Sequence, residues 1–80
     1  MSEVKEQLGV ILRALVDDSE SLRIEEEEVG STVQFNVSAS PDEIGRVIGR
    51  EGRTVRSLRT LLEVRGTESG LYYDLDVEED

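Results

Sequence analysis

Residues 44–55 read Ile-Gly-Arg-Val-Ile-Gly-Arg-Glu-Gly-Arg-Thr-Val. Two glycines three positions apart, Gly49 and Gly52, break a stretch that otherwise favours helix. Glycine ends a helix at little cost, because it reaches left-handed backbone angles with no Cβ to clash. The helix entering the break starts at Ser40-Pro41-Asp42-Glu43. Ser40 suits the N-cap, Pro41 suits the first helical position, and Glu43 would complete a capping box. Gly49 stops this helix about two turns later. A second helix opens at Arg53. Its residues Val55, Leu58, Leu61 and Leu62 share one face, while Arg56 and Arg59 share the opposite one. Arg65 suits the negative end of that helix, and Gly66 suits the position just beyond it.

Upstream, Val4, Leu8, Ile11, Leu12, Leu15 and Val16 recur at helical spacing, which predicts an amphipathic helix over residues 3–17. Ser2 is its candidate N-cap, and Asp17-Asp18-Ser19 ends it. Leu22 and Ile24 then alternate with polar residues, predicting a strand that fades into Glu25–Glu28. The acidic run reads as a solvated edge or hairpin arm. Gly30 marks a turn. Val33, Phe35 and Val37 alternate with Thr32, Gln34, Asn36 and Ser38, predicting a strand with one buried face. Downstream of Gly70, Leu71, Tyr73, Leu75 and Val77 alternate in a last strand, with Tyr72 facing solvent and 78–80 as a frayed acidic end. The order is α-β-β-α-α-β, an α+β fold in one domain over residues 1–80. A tight turn makes the first strand pair antiparallel, and the helical crossover favours a parallel second pair. The expected sheet is three-stranded and mixed, with the helices on one face.

The chain has no histidine and no cysteine. That excludes the usual nucleophile–base pairs, thiolate zinc sites and disulfides. The acidic pairs Asp17-Asp18 and Asp74/Asp76 lack the loop spacing of a cation site. No metal, cofactor or catalytic residue is expected. No signal peptide or membrane-length apolar run is visible, which favours a cytoplasmic protein away from membranes. The net charge is −10, yet residues 44–66 hold six arginines against two acids. A basic stripe lies on an acidic body.

That stripe frames the glycine break. Amides at the start of the second helix, the helix dipole, Arg50 and Arg53 together make an anion site suited to a nucleic-acid backbone. Val47-Ile48, then Gly49 and Gly52, then Val55, with Gly45 one turn earlier, closely resemble the signature of KH domains. The element order resembles their type II arrangement. Over nearly its whole length the chain is similar to the small stand-alone KH proteins of the KhpA family. The resemblance implies a clamp on about four nucleotides of single-stranded RNA at Gly49-Arg50-Glu51-Gly52. Carried over, it places Ile44, Gly45, Ile48 and Val55 beneath the bases, Arg50 and Arg53 on phosphates, and Arg46 and Arg56 on the flanks. Taken alone, Ile48 and Val55 also read as core, and Arg56 and Arg59 as solvated helix residues. The resemblance further implies a role in post-transcriptional regulation or as an RNA chaperone, and self-association or pairing with a larger KH protein of the Jag (KhpB) type. Glu51 and the acidic body support an alternative, a protein-interaction module on the same fold with little RNA binding of its own.

Overall fold

Helix α1 (Glu3–Leu15) buries Val4, Leu8 and Leu12. It is followed by strands β1 (Arg23–Val29) and β2 (Thr32–Ala39), helices α2 (Pro41–Ile48) and α3 (Arg53–Ser69), and strand β3 (Tyr72–Glu79). The computed structural model describes residues 3–79. The expected cap at Ser2 lies outside them, as does Asp80. β2 is the central strand. It runs antiparallel to β1, with Val29 opposite Thr32, and parallel to β3, with Phe35 opposite Leu75. The α-β-β-α-α-β order and the mixed sheet are those expected of a KH-type fold.

β2 alternates strictly, burying Val33, Phe35, Val37 and Ala39 on one face. That face meets Leu12, Val47, Leu58, Leu62 and Leu75 in one core. Phe35 and Tyr73 stack with ring centroids 5.8 Å apart. Leu12 is fully buried, so Leu12→Ala should cost about 2–5 kcal/mol. Tyr72 faces solvent, as its place in the alternation predicts. Among the described residues no helix is long and apolar enough to cross a membrane.

Five local expectations are corrected. α1 ends at Leu15, not Asp17, and Asp18 caps a short 3₁₀ turn at Ser19–Ser21, its Oδ1 accepting from the Glu20 N–H at 3.0 Å. β1 does not fade at Glu25–Glu28, because β2 supplies a ladder partner through Val29. Pairing overrides weak strand propensity here. α3 runs past Gly66 to Ser69, and Gly70, at φ 71°, ends it. Residues Glu78 and Glu79, expected to fray, pair with Ser38 and Ala39.

The fifth correction is the capping box. Ser40 occupies the N-cap, but no side-chain bond caps α2. The Ser40 N–H instead donates to Ser21 Oγ at 3.4 Å. Glu43 is buried and accepts a hydrogen bond from the backbone N–H of Asp18. A long-range partner has taken the carboxylate that the local pattern assigned to Ser40.

Candidate nucleic-acid interface

The site is the junction between α2 and α3. The last turn of α2 closes with the Gly49 N–H donating to the Gly45 carbonyl at 2.9 Å. A 3₁₀ turn over Arg50–Gly52 then redirects the chain into α3. Gly49, Glu51 and Gly52 have φ of 78°, 56° and 72°. Three positive values in four residues bend the chain outward. Gly49 is required twice, because a Cβ there would also collide with the Thr54 side chain. Glu51 is the one non-glycine among the described residues in the left-handed region. An L side chain held there costs about 1–2 kcal/mol.

The amides at the start of α3 are fewer than four. The Gly52 N–H donates to the Gly49 carbonyl at 3.1 Å, and the Arg53 N–H donates to the Arg50 carbonyl. No side chain caps the amides that follow at the start of α3. Together with the helix dipole they still favour an anion.

The structure sorts the arginines of the basic stripe. Arg50 and Arg56 form no ion pair among the described residues. Arg56 leans back towards the loop, its Nη1 3.8 Å from where a Cβ on Gly52 would lie. Arg53 Nη2 meets Glu51 Oε1 at 3.2 Å, with both side chains exposed. Such a pair is weak and exchanges readily for a phosphate. Arg46 is more firmly held. It bridges Asp17 at 2.9 Å and the buried Glu43 at 3.3 Å, joining α2 to the segment after α1. Arg65 pairs with Glu3 at 3.0 Å, towards the other end of α3.

The apolar residues divide as well. Val55 belongs to the core cluster. Ile44 is buried outside that cluster, and Ile48 reaches the surface beside the loop. Gly45 is exposed in mid-helix, and a Cβ there would meet nothing within 4 Å. Neither packing nor backbone conformation within the chain requires a glycine at that position.

Sequence reading left Arg59 as a surface residue. In the structure its Nε donates to the Leu75 carbonyl of β3 at 3.0 Å. Its spacing from Gly52 and Arg56, seven and three residues, is the signal that would have placed it on the loop's side of α3. The acidic pairs are already engaged. Asp17 holds Arg46, Asp18 caps the 3₁₀ turn, and Asp76 accepts from Gln34 at 3.2 Å.

The family model that matches the chain is that of the KhpA/KhpB KH domain, over residues 5–77. A curated relative from Chlamydia pneumoniae, named RNA-binding protein KhpA, is 35% identical over 96% of this chain and 99% of its own length. Another of that name from Aquifex aeolicus is 35% identical over 99% of this chain and its full length. A third, from Listeria monocytogenes, is 32% identical over 95% of this chain and its full length.

Proposed function

The chain belongs to the KhpA/KhpB KH-domain family, and from that premise we propose that it binds single-stranded RNA by holding the backbone of about four nucleotides at Gly49–Gly52. The family is not an enzyme family. The observation that carries the proposal is the α2–α3 junction, an outward loop with three positive φ values beside uncapped helix amides. Its relatives are named RNA-binding proteins. Arg50, Arg53 and Arg56 meet the phosphates, with Ile48, Gly45 and buried Ile44 beneath the bases. Arg46 acts indirectly, by fixing α2 against the chain after α1.

The body of the molecule is acidic, with a net charge of −10. Binding by one domain is therefore weak and falls steeply with salt. Titration of a labelled single-stranded RNA tests the proposal. The double variant Arg50→Asp, Glu51→Asp should lose at least about tenfold in affinity while keeping its unfolding midpoint, because anionic side chains there repel phosphate. Unchanged binding by that variant would falsify the clamp.

A second reading, association with another copy or with a larger KH protein, is favoured by an apolar ridge. Ile11 on α1 and Leu61 and Val64 on α3 are exposed together along one groove. A second domain held there would raise the avidity of a weak clamp. Sedimentation of the wild type should show concentration-dependent dimer, and Leu61→Lys should abolish it. A wild type that stays monomeric in the presence of RNA rules out the self-association arm of this reading.

A further inference from the structure

Arg59 is not among the arginines proposed above to meet phosphates, yet its guanidinium is held in place. Its Nε bonds the Leu75 carbonyl at 3.0 Å, across 16 residues of sequence. Beside it, the Leu75 N–H donates to Asp74 Oδ1 at 2.9 Å. β3 is an edge strand, and both α2 and α3 pack against it. The guanidinium is thus pinned by one nitrogen at the border of the sheet. Its two terminal nitrogens have no partner among the described residues. Arg46, Arg53 and Arg65 are each neutralised by a carboxylate. Arg59 is anchored to a neutral carbonyl and keeps its full charge.

Its position relative to the loop also matters. Gly52, Arg56 and Arg59 follow one another at i, i+4 and i+7 along α3, so they form one stripe. Seven residues of helix carry the stripe about 10 Å from the loop. A strand clamped at Gly49–Gly52 and led along Arg56 brings a base to Arg59.

We infer that Arg59 reads a base edge bearing two adjacent acceptors, either N7 and O6 of guanine or N3 and O2 of cytosine. The inference rests on the RNA-binding reading above. A guanidinium offers donors only, in a planar fork. Guanine and cytosine each present a pair of neighbouring acceptors to such a fork. Uracil and adenine alternate donor and acceptor along their edges, so one donor would always face another. Pinning Nε fixes the plane of the fork before a base arrives, which lowers the ordering cost of the contact.

The experiment uses four labelled RNA octamers at one salt concentration: all uridine, and uridine with a central G, C or A. The wild type should bind the G or the C oligonucleotide at least about fivefold more tightly than the other two, as a bidentate contact predicts. Which of the two wins identifies the base. Arg59→Lys keeps the charge but lacks the fork. It should bind all-uridine RNA as the wild type does and lose the preference, and Arg59→Gln should lose it too. Equal binding of all four by the wild type overturns the inference and leaves the clamp standing. A preference that survives in both variants also overturns it. Failure to bind any of the four defeats the clamp itself and this inference with it.

Discussion

Of the three glycines inside the α-helices, Gly45 in α2 and Gly66 in α3 have opposite surroundings. Gly66 is buried, and a Cβ there would run into the Leu71 carbonyl. The chain leaving α3 folds back over it, with the Leu71 N–H donating to the Gly66 carbonyl at 2.9 Å. This glycine serves the fold. Gly45 is exposed, has open space around it, and weakens its own helix. A glycine in mid-helix costs about 0.5–1 kcal/mol relative to alanine. At Gly45 nothing within the chain repays that cost, whereas close approach of a nucleotide would. The contrast separates one end of α3, built for packing, from the junction at its other end, where we propose that RNA binds.

The comparison can be broken by substitution. The largest effect is expected at Gly66→Ala, which should destabilise the protein by about 2–3 kcal/mol in urea unfolding, since backbone must move to make room. The RNA affinity of the molecules still folded should be unchanged. Gly45→Ala should reverse the sign on stability and, unlike Gly66→Ala, should weaken binding. Its stability should rise by about 0.5–1 kcal/mol, and its RNA affinity should fall several-fold in the same titration. If Gly45→Ala left binding intact, α2 would not be part of the RNA surface. The smallest effect is expected at Glu51→Asn. Asparagine tolerates the left-handed backbone and removes the carboxylate that pairs with Arg53. Affinity for RNA should rise about two- to threefold at low salt and converge with the wild type at high salt.

Much of this division was legible in the sequence, and the reasons are local. Gly49 and Gly52 stop and restart helices through their own backbone freedom, so the α2–loop–α3 unit is written into residues 40–58. The alternation in β2 is equally local. Features set by contacts distant in sequence were harder to read. Glu43 looked like a capping-box residue because Ser40 lies three positions before it. In the fold it bonds Asp18 and Arg46 instead. The Arg46 side chain also bridges to Asp17, a contact that its expected place on the flank of the loop gave no sign of. Gly66 looked like a helix end because glycine commonly is one. Only the path of Leu71 back over α3 shows why the helix continues. Arg59 was similarly hidden, since its partner is a carbonyl on a strand 16 residues away.

The central claim is that the α2–α3 junction is where RNA binds. The most direct measurement is a titration of isotope-labelled protein with a short single-stranded RNA, followed by backbone amide chemical shifts. The largest changes are predicted for Gly45, Ile48, Gly49 to Arg53, Val55, Arg56 and Arg59, with the hairpin from Glu25 to Ser31 nearly still. Changes concentrated on Ile11, Leu61 and Val64, with Gly49–Gly52 unmoved, would contradict the account and move the binding surface to the apolar ridge.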